Sequence, residues 1–370
     1  MFSASEGIRK ASCEYVWIVL NILQCLGRKA EEHSFQNLLI RGKHFCKEMS
    51  CKMKIAVAGL GNLGKAVLRS LKKEKELELV GAFSRRKKEY TGVTDVPVYP
   101  FSLLGEFKEK TDVVLNCMGS AHDLPETTPY IASLFNVVDS FDTHAMAQKH
   151  IEEVDKAAKK AKKTALVSVG WDPGLFSLAR LYMNAVMPNG KVYTFWGQGV
   201  SQGHTDALRS LDGVLFARQY TVPVAAAVEQ AKSGSLFETD TEKLHRRVCY
   251  IVAKPGADKE KLEREIKEMP NYFKGYKTEV NFITLEDFLR EHKSMAHAGH
   301  VIACRKGEDG VDTLEFSLSA ASNPFLTASV LLAFSKACFK MQQRGEYGCK
   351  TVFDVRPADL LEEKDALKLL

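Results

Sequence analysis

The segment that most constrains this chain runs from Lys54 to about Phe83. Lys54-Ile55-Ala56-Val57-Ala58 is a short apolar run of the kind a buried parallel strand requires. It leads into Gly59-Leu60-Gly61-Asn62-Leu63-Gly64. An amphipathic stretch follows, with Ala66, Val67, Leu68 and Leu71 facing one way and Lys65, Arg69, Lys72 and Lys73 the other. A second apolar run, Leu77 to Phe83, then ends in a polar cluster. Strand, glycine turn, helix and strand within about thirty residues is the setting in which GxGxxG holds a dinucleotide. The first glycine permits the tight turn, the second lets the backbone approach a pyrophosphate, and the third lets helix and strand pack closely. The phosphates then meet free N–H groups at the positive end of the helix.

The end of the second strand selects the nucleotide. NAD sites place an acidic residue there for the ribose 2′-hydroxyl. This chain has Ser84-Arg85-Arg86, and a hydroxyl with guanidinium groups suits a 2′-phosphate that an aspartate would repel. The competing reading is a solvated basic turn, Arg85-Arg86-Lys87-Lys88; NADP is the favoured cofactor.

The alternation continues. A strand from Asp112 to Asn116 ends in Cys117-Met118-Gly119-Ser120, and Asn136 to Asp139 closes in Ser140-Phe141-Asp142. Helical sequence covers roughly 144–163, and a strand from Ala165 to Val169 ends in Gly170-Trp171-Asp172-Pro173-Gly174. Ligands of an open parallel sheet gather at the carboxyl ends of its strands, which puts Asp142 and Asp172 beside the nicotinamide end of the cofactor. Position alone equally suits helix-capping or Asx-turn aspartates. Beyond Gly174 the rhythm changes. Extended runs at 191–196, 215–222, 246–253, 279–283 and 311–318 alternate with helices, and no glycine fingerprint recurs. The expected fold is α/β: a Rossmann-type doubly wound parallel sheet over 53–172, then an α+β substrate-binding and dimerisation domain over 173–326. The last helix, about 327–343 within the closing segment 327–370, is expected to return to the first domain.

Composition bounds the partners. With 370 residues, 45% hydrophobic and 26% charged, the chain can build cores without disulfides or metal. A net charge of +6 is mild for this length, no lysine or arginine block reads as a nucleic-acid surface, and no nucleic-acid partner is expected. Nine cysteines, none in a CxxC pair, suit free thiols in a reducing, cytoplasmic setting. His297 and His300 have no carboxylate or cysteine at ligand spacing, so no metal is expected. Residues 1–52 look foreign to the rest. Their apolar run, Tyr15 to Leu26, is shorter than the about 20 residues a bilayer span takes, and Gly27-Arg28-Lys29 closes it without a cleavage site. The natural start is expected at Met53, with no membrane attachment.

Taken together the motifs resemble the meso-diaminopimelate dehydrogenase family. The matching strings are Gly59 to Gly64, Phe83-Ser84-Arg85-Arg86, Cys117 to Ser120, Gly170 to Gly174, Thr194-Phe195-Trp196-Gly197, Ser201-Gln202-Gly203-His204, Gln219-Tyr220-Thr221 and Glu279-Val280-Asn281-Phe282. They run in order from about Lys54 to near the end. The resemblance implies an NADP-dependent enzyme, commonly a homodimer, that oxidatively deaminates the D-centre of meso-2,6-diaminopimelate. It implies an NADP site at the glycine turn, Ser84, Arg85, Arg86, Cys117 to Ser120, Ser140, Phe141, Val169, Gly170 and Pro173. It implies a substrate pocket lined by Asp142, Trp171, Asp172, Trp196, Thr221, Arg247, His297 and Asn323. Asp142 and Asp172 would lie near the reacting amine as candidate proton acceptors, while Thr221, Arg247, His297 and Asn323 hold the distant L-amino acid. Two departures stand out. The family often has Met-Pro-His-Gly-Gly-His where this chain has Met295-Ala296-His297-Ala298-Gly299-His300, and Tyr-Asp where it has Phe141-Asp142. Two other functions compete: a related NADP oxidoreductase on another amino acid or imine, and a non-enzymatic NADP sensor.

Overall fold

The computed structural model describes residues 52–85, 97–143, 146–235 and 240–370. The expectations for residues 1–51 and for Arg86 fall outside the described residues. β1 (Met53–Ala58) is the central strand, with Ile55 through Ala58 fully buried. It delivers the chain through the glycine turn to α1 (Asn62–Leu71), which buries Ala66, Val67, Leu68 and Leu71 as its spacing requires. β2 (Leu77–Ser84), β3 (Val98–Pro100), β4 (Val113–Asn116), α2 (Leu124–Ala132), β5 (Asn136–Asp139), α3 (Ala147–Ala161) and β6 (Thr164–Leu166) follow. The strands lie in the order β3-β2-β1-β4-β5-β6, the doubly wound order, with its switch point between β1 and β4.

A seventh strand, β14 (Gly348–Lys350), joins this sheet beside β6 in parallel, which the sequence did not announce. The helix before it, α9 (Asn323–Gln343), packs on β4, β5, β6 and α1 and buries Val330, Leu331, Leu332, Phe334 and Ala337. It starts at Asn323 rather than near 327, because Pro324 falls in the first turn, where a missing N–H costs nothing. β6 ends at Leu166 instead of Val169. Ser168 has φ +58°, and its N–H goes to the Asp139 carboxylate, not to the strand ladder.

Between these pieces the chain builds two further sheets. β7 (Lys191–Trp196), β12 (His297–Lys306) and β13 (Val311–Ala320) form an antiparallel sheet in the order β13-β12-β7. α4 (Leu175–Val186) covers it, packing Phe176, Ala179 and Met183 against Val301 and Ala303. The His297–His300 segment, read in the sequence as polar punctuation, is the start of β12. β8 (Gly199–Val200), β9 (Val214–Pro223), β10 (His245–Ala253) and β11 (Lys277–Phe282) form the second sheet, antiparallel except for β10 with β11. α5 (Gln202–Arg209), α6 (Ala225–Lys232) and α7 (Lys259–Glu268) connect these strands, and α8 (Leu285–Glu291) leads from β11 to β12.

Candidate active site

The glycine turn has the shape its motif requires. Gly59 sits at φ +94°, and a Cβ there would meet the Cys117 and Met118 backbone at 2.7–2.8 Å. A Cβ on Gly64 would lie 1.8 Å from the Gly59 carbonyl oxygen, so only glycine lets α1 pack this close to β1. Gly61 is different: a Cβ there meets nothing within 4 Å. The protein leaves that space clear in front of a helix whose first turn holds no acidic residue, which fits a pyrophosphate. Ser84 is buried at the end of β2, and Arg85 forms an ion pair with Asp123, whose other oxygen accepts the Gly119 N–H at 3.0 Å. Leu60, Cys117 and Met118 are buried around the turn, and burial pushes the Cys117 thiol up to about 12. Phe141 and Val169 are buried in the floor beneath the strand ends.

A cavity of roughly 630 Å³ opens from the glycine turn across the ends of β5 and β6 and into the second half of the chain. Asn62, Leu63, Ser140, Gly170 and Pro173 border it on the dinucleotide side. Every side chain expected to hold the substrate lines it: Asp142, Trp171, Asp172, Trp196, Thr221, Arg247, His297 and Asn323. The remaining expected cofactor residues among those described lie along the sheet edge rather than on the cavity wall.

The two aspartates have unlike surroundings, and neither caps a helix: α3 starts after Met146 and α4 after Gly174. The Asp172 side chain is 3% exposed and clasped by Arg180, whose guanidinium nitrogens stand 2.6 Å from Oδ1 and 3.3 Å from Oδ2. Its Oδ2 also accepts the Trp196 indole N–H at 2.6 Å. Asp142 is exposed toward the cavity, and its backbone N–H donates to Ser120 Oγ at 2.9 Å. Among the described residues its carboxylate has no ion pair. Trp196 is held further by its backbone N–H, which donates to His245 Nε2 at 2.9 Å, with the rings stacked at 5.3 Å. Burial holds His245 down to about 4, so that nitrogen stays an acceptor.

At the other end, strand register sets Arg247 of β10 directly opposite Thr221 of β9. Its guanidinium donates to Thr221 Oγ1 at 2.6 Å and lies 3.9 Å from the centre of the Tyr276 ring. Arg247 is 8% exposed, its Nε is buried without a partner, and no carboxylate pairs with it among the described residues. A buried cation so placed calls for an anion from outside. His297 donates from Nδ1 to the Ala298 carbonyl oxygen (2.9 Å), so Nδ1 carries the proton, and burial keeps the ring neutral by lowering its pKa. Asn323 Oδ1 accepts from the Trp171 indole (3.0 Å) and the Thr327 hydroxyl (3.1 Å), which leaves its amide nitrogen to donate to a ligand.

Sequence reading missed Arg180, Tyr272 and Tyr276. Arg180 lies in the second turn of α4, and only the helix brings it back to Asp172; nothing set either tyrosine apart from a surface residue. His204 stood inside a quoted string but without a role. It meets Ser201 Oγ at 2.7 Å, and burial lowers it to about 4.

Residues 170–322 match the model of the diaminopimelic acid dehydrogenase C-terminal domain. The chain is 46% identical over 316 residues to the meso-diaminopimelate D-dehydrogenase of Acetivibrio thermocellus, covering 84% of this chain and 94% of that protein. It is 42% identical over 305 residues to that of Corynebacterium glutamicum, covering 82% and 94%. The solved structure of the C. glutamicum DAP dehydrogenase in complex with DAP is similar with a TM-score of 0.81 at 41% identity, over 86% of this chain and 98% of that one. An engineered D-amino acid dehydrogenase bound to NADP+ gives 0.77 at 39%, over 86% and 99%. A parallel sheet with a dinucleotide turn, a crevice with an acidic and a cationic end, and this likeness along most of both chains lead to one conclusion: the chain belongs to the meso-diaminopimelate D-dehydrogenase family.

Proposed function

We propose that this oxidoreductase, which oxidatively deaminates the D-centre of meso-2,6-diaminopimelate, takes NADP and reads its substrate by charge at the two ends of the cavity. The observation that carries this reading is the contrast between an open carboxylate, Asp142, at the sheet edge and a buried, unpaired guanidinium, Arg247, at the far wall. A doubly zwitterionic diacid offers an ammonium to the first and a carboxylate to the second. The glycine turn with Ser84 and Arg85 would hold the cofactor, which when bound accepts a hydride from the D-centre carbon. An ammonium must first lose a proton, and Asp142 takes it, because the Asp172 carboxylate is already committed to Arg180 and Trp196. Asp172 instead fixes the Trp196 indole as a wall of the pocket. Arg247, with Thr221, His297 and Asn323, grips the L-amino acid end. The two ends of the substrate are the same chemical group, so the remote grip decides which face of the reacting carbon is presented. Water then displaces ammonia and leaves L-2-amino-6-oxopimelate.

Residues 53–172 with 327–370 serve the dinucleotide in this reading, and 173–326 the substrate. The enzyme pairs as a homodimer through the second part, where Leu181, Tyr182 and Val186 of α4 and Leu314 and Phe316 of β13 are exposed. Among the described residues Cys117, Cys249, Cys304 and Cys338 are free and buried and Cys349 is free and half-buried, which suits the reducing cytoplasm. Following NADPH absorbance with the meso, LL and DD isomers tests the core of the reading: only the meso isomer is expected to turn over well. Equal rates for all three overturn the remote grip, and equal use of NAD overturns the cofactor assignment.

A further inference from the structure

Asp139 is the last residue of β5, is fully buried, and does not line the cavity. Both oxygens of its carboxylate are engaged. Oδ2 accepts from the Thr128 hydroxyl at 2.8 Å and from His150 Nε2 at 2.7 Å. Oδ1 accepts two backbone N–H groups, Phe141 at 3.1 Å and Ser168 at 2.9 Å. These two donors belong to different loops. Phe141 immediately precedes Asp142, and Ser168 opens the loop that runs through Gly170 and Trp171 to Asp172. The Asp139 carbonyl adds a third tie by accepting the Val169 N–H at 2.9 Å. The Phe141 ring also stacks on His150 at 4.1 Å and 15°. The residue before Asp142 is therefore held both by its backbone and by its ring.

A carboxylate suits this place because it accepts on two oxygens and donates from neither. Burying it is costly unless hydrogen bonds meet it, and here four donors do. His150 donates through Nε2, while its Nδ1 is buried without a partner. We infer that Asp139 is a positioning residue for the deamination: its Oδ1 fixes the separation of the two loops that carry Asp142 and Asp172, while Thr128 and His150 satisfy Oδ2 and take no part in the tie between the loops. The inference rests on the reading of Asp142 and Asp172 given above. An offset of about 1 Å in such a constellation costs on the order of 10²-fold in rate.

The test compares Asp142→Ala, Asp139→Ala, Asp139→Asn and Thr128→Val in the full chain, with meso-diaminopimelate deuterated at the D-centre and rates normalised to enzyme that binds NADPH. Folded Asp139→Ala is expected to lose roughly 10²-fold in kcat, with a larger deuterium isotope effect and an unchanged NADPH dissociation constant. Asp139→Asn keeps a carbonyl oxygen for the Phe141 and Ser168 N–H groups and is expected to recover kcat to within about fivefold. Thr128→Val loosens the same buried cluster but leaves both backbone ties, so it lowers Tm and leaves kcat and the isotope effect unchanged. If Asp139→Ala yields too little folded enzyme, Asp139→Leu combined with Thr128→Val and His150→Phe replaces it, since apolar groups of similar shape then fill the site. Normal kcat and isotope effect in the folded alanine or triple variant, beside an impaired Asp142→Ala, overturn the positioning role alone. An asparagine variant as slow as alanine, or a slow Thr128→Val, also overturns it. Full activity in Asp142→Ala overturns the underlying reading, and the inference with it.

Discussion

The two ends of the crevice are made of different material. At the dinucleotide end the protein presents backbone: a turn at φ +94°, a helix start brought within reach by Gly64, and open space at Gly61. At the proposed substrate end it presents side chains drawn from positions between 142 and 323, most of them oriented by neighbours: Asp172 by Arg180, Arg247 by Thr221 and Tyr276, Asn323 by Trp171 and Thr327. A backbone site is rigid and serves any dinucleotide; a side-chain site is selective and depends on distant neighbours. Substitutions at the first end should therefore either break the fold or leave it intact, and those at the second should change recognition by degrees.

Gly64→Ala gives the sharpest break. Its Cβ would collide with the Gly59 carbonyl, backbone against backbone, and a loss of about 4 kcal/mol or more is expected, read as missing soluble protein or a collapsed Tm. Gly61→Ala meets no protein atom, so its Tm should stay within a degree or two of the parent while dinucleotide affinity falls about tenfold. If both fold equally well, the two glycines do not differ as described. Arg247→Ala should raise the substrate KM roughly 10²-fold, on the order of 3 kcal/mol, with cofactor affinity unaltered. An unchanged KM removes Arg247 from the grip.

The substrate end also responds to pH. Burial depresses His245 from 6.5 to about 4, and His204 likewise. As pH falls past 6.5 the unfolded chain takes up these protons, while the folded enzyme does not until about 4. The stability from each neutral ring is complete above 6.5 and is lost between 6.5 and 4, on the order of 3 kcal/mol for the deeply buried His245. Thermal melts from pH 7 to 4 should show a fall that His245→Gln makes shallower; parallel curves for the two proteins would show that the ring does not carry it. The smallest effect expected is at Arg85. Arg85→Ala should weaken NADP about tenfold, near 1.4 kcal/mol, and leave NAD unchanged, because the guanidinium already shares itself with Asp123.

How much could be read from the sequence follows the same division. The glycine turn and its flanking strands were legible because their requirement is local: a few residues determine the geometry. Strand ends were less so. β6 stops early because the Ser168 N–H is claimed by Asp139, twenty-nine residues away, and no pattern within 165–169 records that. The residues proposed to hold the substrate were nameable only by likeness to a family. Their spacing along the chain says nothing of a common cavity until β9 and β10 pair in register and α9 brings Asn323 beside Trp171. Arg180 escaped because its partner lies before the helix that carries it.

The course of α9 has a consequence for how the molecule can be divided. Its first residue lines the cavity, its body lies under β4, β5 and β6, and the strand that follows completes the sheet edge. The parallel sheet is thus written in two stretches of the gene product, with the other two sheets spliced between them. A fragment ending near residue 172 would bare the apolar underside of that sheet, and one starting there would carry a helix with nothing to lie on. Neither half is a module that could be lent to another protein by a single cut; the enzyme is indivisible in sequence although it is two-part in space.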